Sequence, residues 1–218
     1  MGSVGNNQIY SDVDSRTTPI SDNDKKQIAG DWDTRYFQSS NAFTINEILR
    51  GTGSDDELLQ NLREEYTFTK ADKVYETIQV MDRNMQPLND SIKVVRLADM
   101  DYITSVLQAC GVNIPVNAFD EMRYSDVVNS INDIKNNVIG ATIYEKGYMS
   151  TTYNTSLSDS EFKDRPVRLE MDVPKGAKAM FSPTGEESEL VVARNSGYTV
   201  NDIRLENGDI VLSVKVLK

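Results

Sequence analysis

Val167-Arg168-Leu169-Glu170-Met171-Asp172-Val173-Pro174-Lys175-Gly176 is the stretch on which the reading of this chain turns. Val167, Leu169, Met171 and Val173 alternate with Arg168, Glu170 and Asp172, the period of a strand with one buried face. Pro174-Lys175-Gly176 is a turn, and Ala177 to Phe181 is expected to return beside that strand. Further on, Glu189 to Ala193, Tyr198 to Ile203 and Ile210 to Val216 read as short strands. The last places Ile210, Leu212, Val214 and Val216 on one face. Upstream the period lengthens. Ile28, Trp32, Tyr36 and Phe37 recur at helical spacing across Asp24 to Ser40. A second helix is expected from near Thr44 to Arg50-Gly51, where glycine suits a helix end. Ser54 followed by Asp55-Asp56-Glu57 reads as an N-cap with an acidic first turn. Leu58, Leu59, Leu62 and Tyr66 form one apolar stripe, and Val74, Ile78 and Met81 another. Ile92 to Leu97 is a strand, followed by a mixed helical stretch to about Asn137. Helices first and strands afterwards predict an α+β fold, two packed sheets with helices against them. No repeat or linker divides residues 24–218, which are expected to form a single domain. Residues 1–23, rich in Ser, Asp and Asn, are expected to be a flexible tail.

Composition narrows the function classes. With 218 residues, 39% hydrophobic and 26% charged, the chain has globular proportions. It carries 23 basic and 34 acidic side chains, a net charge of -11. That balance opposes non-specific nucleic-acid binding and adsorption to anionic membranes, both of which need positive potential. There is no histidine, which excludes a Ser-His-Asp triad, a Cys-His dyad and histidine-ligated zinc. Cys110 is the single cysteine, so no internal disulfide or cysteine cluster can form, and no metal is expected. In the context Val106-Leu107-Gln108-Ala109-Cys110 it reads as a buried residue. No run of about 18 apolar residues occurs, nor a basic segment leading into an apolar one at the start. Catalysis in this chain must use carboxylates, arginines, hydroxyls and a borrowed cofactor.

Three places are candidates for chemistry. Glu187 and Glu189 share one face of a strand, roughly 7 Å apart along the backbone. They form either an exposed acidic turn or a site in which one carboxylate is held beside the other. Ser150-Thr151-Thr152 is a hydroxyl run at a strand end, able to orient a carboxylate or to pair across strands. Arg96 interrupts the apolar Val94, Val95 and Leu97. It either emerges at a sheet edge or serves as a phosphate ligand, a task suited to a planar, permanently charged fork.

Taken in order, Arg96, Ser150-Thr151-Thr152 and Glu187-x-Glu189 resemble the Arg/Ser-Thr-Ser/Glu-x-Glu pattern of mono-ADP-ribosyltransferase toxins. Ile45-Asn46-Glu47-Ile48-Leu49-Arg50-Gly51 resembles the I-N-x-x-L-R-G segment of that family. Glu145-Lys146-Gly147-Tyr148-Met149-Ser150-Thr151 is similar to its E-K-G-Y-x-S-T strand. Phe162-Lys163-Asp164-Arg165-Pro166 fits its F-x-x-R-P loop, and Val173 to Gly176 and Tyr198 to Asp202 also fall in place. The resemblance extends over roughly Asp24 to Lys218. It is strongest to the catalytic domain of actin-modifying binary toxins and to the clostridial Rho-modifying exoenzymes. The family fold it implies is a helical N-terminal part packed on two roughly perpendicular antiparallel sheets.

The resemblance implies transfer of ADP-ribose from NAD, used as a substrate, to a protein side chain, with release of nicotinamide. Positive charge then builds on the ribose, as in glycoside cleavage, and a carboxylate beside it is worth most at that moment. Glu189 is the implied carboxylate, steadied by Ser150. Glu187 would orient the acceptor and take its proton, since a charged guanidinium is a poor nucleophile. Arg96 and Arg50 would clamp the NAD phosphates with help from Arg165. Phe162 would pack on the nicotinamide, and the backbone of Leu97 would bond its amide. The Rho-modifying exoenzymes carry Gln where this chain has Glu187, so an arginine acceptor is implied, with actin as the favoured host partner. Alternatives are another arginine-bearing protein, such as a small GTPase or a component of the bacterial transcription machinery, or an inactive NAD- or protein-binding module. Two positions depart from the pattern: Thr152 replaces serine, and Thr184 stands where related toxins use an aromatic residue, with Phe181 displaced nearby. The expected protein is a monomeric toxin, secreted or delivered into the host cytosol.

Overall fold

Residues 20–30, 33–37, 39–112, 124–154, 164–183 and 188–218 are described by the computed structural model, and they gather into two units. The first takes in the described residues up to Asp90 together with Glu145–Met149 and Lys175–Asn195. The second consists of Ser91–Tyr144, Ser150–Pro174 and Ser196–Lys218.

In the first unit, helix α1 (Asp22–Ala29) starts where the Ser21 side chain accepts the Asp24 N–H at 3.2 Å. It does not run on to Ser40 as its spacing predicted. A Cβ at Gly30 would lie 2.4 Å from the Lys26 carbonyl oxygen, so only glycine closes this turn. The chain then doubles back, and the Tyr36 N–H donates to the Ile28 carbonyl at 3.1 Å. Tyr36 and Ile28 do share a buried cluster, reached by a loop and not by a helical period. Trp32 lies outside the described residues. Helix α2 (Ser39–Gly51) opens earlier than expected, and α3 (Asp55–Glu65) and α4 (Phe68–Asn84) follow. Ser54 precedes α3 without a side-chain cap; the Glu57 carboxylate accepts the Gly53 N–H instead, at 3.0 Å. Leu58 and Leu62 of α3 and Val74, Ile78 and Met81 of α4 are buried together, as the stripes predicted. Each such fully buried side chain contributes about 1.5–3 kcal/mol relative to exposure.

Strand β1 (Gln86–Pro87) pairs antiparallel with β6 (Lys178–Phe181), which pairs antiparallel with β7 (Glu189–Val192). The expected return of Ala177 to Phe181 beside Val167–Val173 is therefore corrected. Gly176, at φ 89, donates its N–H to the Leu88 carbonyl, and the Leu88 N–H donates to Ala177. Alternation identified which face is apolar; it carried nothing about which strand lies alongside.

The segment Glu145–Met149 is locked into this unit by Tyr148, which is fully buried and edge-on to Tyr36 at 5.2 Å between centroids. Its hydroxyl donates to Asp82 Oδ1 at 2.6 Å, and Arg194 grips the same carboxylate through Nε and Nη2 at 3.0 and 2.8 Å. Burial raises the Tyr148 phenol well above its ordinary range, and the charge of Asp82 adds to the rise. A phenol raised in the folded state keeps its contribution below the unfolded value near 10 and loses it as pH climbs further. Urea melts from about pH 8 to pH 11 should show stability falling above about pH 10, and Tyr148→Phe should flatten that fall. An unchanged slope in the variant would refute the account.

The second unit contains β2 (Ile92–Ala98), α5 (Met100–Ala109), α6 (Tyr124–Val138), all but the last residue of β3 (Thr142–Glu145) and all but the first of β4 (Met149–Thr152). Strands β5 (Val167–Val173), β8 (Ser196–Glu206) and β9 (Asp209–Val216) complete it. The strand order is β4-β2-β5-β9-β8-β3. The expected all-antiparallel pairing is corrected here, because β5 and β9 run parallel, Val167 opposite Ile210 and Met171 opposite Val214. Parallel neighbours need a long crossover, and everything from Pro174 to Gly208 supplies it. The β8–β9 hairpin turns on Asn207 (φ 53) and Gly208 (φ 93), the left-handed pair that matches strand twist. Val167, Leu169, Met171 and Val173 are all buried, as their alternation required. Cys110 is half-buried, less than expected, and burial raises its thiol pKa.

Candidate functional site

Arg96 stands in the middle of a ladder. Its strand β2 has β4 on one side, with Val95 opposite Thr152, and β5 on the other, with Arg96 opposite Leu169. A sheet-edge explanation for this arginine is thereby removed. The antiparallel pairing lays Ser150-Thr151-Thr152 beside the part of β2 that carries Arg96 and Leu97, with Ser150 exposed. The Arg96 guanidinium sits over the Tyr102 ring, 5.3 Å from its centroid. Its Nη1 is shut from water and finds no hydrogen-bond acceptor among the described residues. A buried donor left unpaired costs about 1–3 kcal/mol, more when charged. An acceptor oxygen is the partner this arrangement lacks, and a phosphate oxygen is one that would suit the charge of Arg96.

Arg165 joins the same group. Its Nη1 donates to the Leu97 carbonyl at 3.4 Å, and its Nε lies 3.5 Å from Asp99 Oδ1. That ion pair is largely exposed and weak, so it leaves Arg165 able to exchange partners. The Leu97 carbonyl, part of the backbone expected to bond the nicotinamide amide, accepts from Arg165 in this structure.

In the first unit, Arg50 ends α2 and forks onto Glu145, Nε to Oε1 at 2.9 Å and Nη2 to Oε2 at 3.2 Å. Glu145 is 8% exposed and Arg50 40%, so the carboxylate anchors and the guanidinium faces solvent. Glu145 Oε1 also accepts the Gly147 N–H at 2.9 Å. Asn46 accepts the Tyr148 N–H at 2.8 Å and donates to the Tyr36 hydroxyl at 3.1 Å. A Cβ at Gly147 would approach Asn46 Oδ1 to 2.9 Å, which accounts for the glycine. The two sequence segments Ile45–Gly51 and Glu145–Thr151 thus meet through Asn46 and Arg50.

Glu189 opens β7 and is half-buried. Its carbonyl accepts the Ser182 N–H at 2.9 Å, closing the β6–β7 pairing from the strand's first residue. Ser188, directly before it, is buried with φ 50, a left-handed conformation uncommon for a non-glycine residue. Strained backbone of this kind persists where the surroundings over-determine it, often at functional positions. Glu187, Thr184 and Phe162 lie outside the described residues. The predicted residues accordingly fall into described groups: Arg96, Leu97, Ser150 and Arg165 in one unit, Arg50 and Glu189 in the other. Sequence reasoning missed Glu145 as the partner of Arg50, Asn46 as the side chain bonded to Tyr148 and Tyr36, and Tyr102 as the ring under Arg96. The first two stood inside the quoted motifs and were open to notice; Tyr102 had no signal beyond a helical position.

Among the described residues no three His, Cys, Asp or Glu side chains cluster to hold a metal, and no helix is long and apolar enough to cross a membrane.

Comparison with known proteins gives a concordant picture. A family profile described as ADP-ribosyltransferase exoenzyme matches residues 6–217. The epidermal cell differentiation inhibitor of Staphylococcus aureus is 26% identical over 193 residues, covering 84% of this chain and 72% of that protein. Plx2a, an ADP-ribosyltransferase toxin from Paenibacillus larvae, is 24% identical with a TM-score of 0.62, over 97% of this chain and 92% of that one. C3stau2 from S. aureus, solved with NAD, is 19% identical with a TM-score of 0.66, over 100% of this chain and 98% of that one. At these identities the two structures show the shared fold.

Proposed function

The chain belongs to the ADP-ribosyltransferase exoenzyme family, with NAD as substrate, and from that premise we propose that it transfers one ADP-ribose to an arginine of a host protein. The observation that carries the reading is Arg96, a half-buried arginine in mid-sheet whose Nη1 is shut from water and finds no acceptor among the described residues. In this proposal Arg96, Arg50 and Arg165 hold the two phosphates of NAD. Arg50 arrives pre-oriented by Glu145, and Arg165 trades its weak pairing with Asp99 for the ligand. Phe162 packs on the nicotinamide, whose amide bonds to the Leu97 backbone once Arg165 has shifted. Ser150 steadies Glu189, whose carboxylate stabilises the positive charge developing on the ribose as nicotinamide departs. Glu187 orients the acceptor guanidinium and removes its proton. Residues 24–218 act as one catalytic domain; its described strands form one nine-stranded sheet in place of the two expected, and the protein is a monomeric toxin secreted or delivered into the host cell.

The target is where the sequence expectation shifts. Actin was favoured from the resemblance to binary toxins, but the likeness to C3stau2, Plx2a and the epidermal cell differentiation inhibitor supports the alternative, another host protein such as a small GTPase. Glu187, in place of the glutamine of the Rho-modifying exoenzymes, supports arginine as the acceptor. Incubation with labelled NAD and host-cell lysate tests both points. A labelled protein other than actin, with the label mapped by mass spectrometry to arginine, is the expected result. Label on asparagine would overturn the acceptor assignment, and no label on any protein would overturn the activity.

A further inference from the structure

Tyr102 lies on the first turn of α5, four residues beyond the end of β2, and presents its ring to the Arg96 guanidinium. Its hydroxyl is 2.7 Å from that of Tyr198, which is fully buried on β8. All three residues belong to one unit. A fully buried phenol on an eleven-residue strand is a fixed point. Tyr102, tied to it, has its ring plane set from the hydroxyl end. The negative face of that ring then holds the guanidinium by a cation–π contact. An arginine side chain has several rotatable bonds, and a strand residue could direct it along many paths. Here the aromatic face restricts it while consuming none of its N–H donors, which stay available to a ligand.

We propose that Tyr102, braced by Tyr198, is a positioning residue that holds Arg96 ready for the phosphates of NAD. This rests on the assignment of Arg96 to the phosphates made above. Preorganising a cationic ligand lowers the ordering cost of binding, so the effect falls on NAD affinity more than on the bond-breaking step.

The test is a double-mutant cycle in the full chain, with NAD affinity measured by calorimetry and KM and kcat by NAD hydrolysis. Tyr102→Leu should raise Kd and KM for NAD about fivefold with kcat within about twofold of the parent. Tyr102→Phe, which keeps the ring and loses the brace, should raise them about twofold. In an Arg96→Met background Tyr102→Leu should add no more than about 1.5-fold, because the group it positions is gone. Parental NAD affinity in Tyr102→Leu overturns the inference, and so does the same factor in both backgrounds, which marks a merely structural role. Arg96→Met with unchanged NAD affinity would overturn the phosphate assignment itself. Should Tyr102→Leu fail to fold, Tyr198→Phe removes only the hydroxyl link. A rise in KM of about twofold that vanishes with Arg96→Met then supports the brace, and no rise overturns it.

Discussion

Glu189→Ala is expected to reduce ADP-ribosyl transfer, and NAD hydrolysis with it, by about 100-fold or more while leaving the protein folded. The size follows from charge. As the bond to nicotinamide lengthens, positive charge grows on the ribose, and a carboxylate placed there in advance stabilises that state without reorganising. A hundredfold loss corresponds to about 2.7 kcal/mol of transition-state stabilisation. The fold should tolerate the change because Leu190, Val191 and Val192 bury β7, and its pairing with β6 runs through the backbone. The measurement is kcat for both reactions beside a thermal melt. Equal kcat in variant and parent would remove Glu189 from the chemistry.

Glu187→Gln is expected to separate two activities. Transfer to arginine should fall by about 100-fold or more, since the base that makes guanidinium nucleophilic is gone. Hydrolysis of NAD should persist, because water needs no such activation to capture the ribose and Glu189 is untouched. Measuring nicotinamide release and protein labelling in the same reaction distinguishes the outcomes. Undiminished arginine labelling would show that Glu187 is not the base, and parallel loss of both reactions would make it part of the bond-breaking step.

These two glutamates also show how differently residues can be known. Glu187-x-Glu189, Ser150 and Arg96 stood out as candidates because few arrangements of those residue types recur in that order, and because the chain lacks the histidine that most alternatives require. The helical stripes of α3 and α4 and the alternation of β5 were legible because each element must bury one face against the rest. Ile28 and Tyr36 show the limit of that method. Their spacing is helical and both are buried, yet the helix ends between them at Gly30, where a Cβ would meet the Lys26 carbonyl.

By itself the sequence determined the α+β order, the apolar face of each long element and the absence of histidine chemistry. It could do so because period, residue type and motif order are local properties of the chain. Tertiary structure alone decided that β6 pairs with β1 and β7, that β5 runs parallel to β9, and that Glu145 anchors Arg50. It alone decided that Arg96 lies in mid-sheet over Tyr102 with its Nη1 unpaired among the described residues. Strand partners and ion pairs join residues far apart in the chain, and their choice depends on which backbone donors and side-chain charges the whole fold brings within reach.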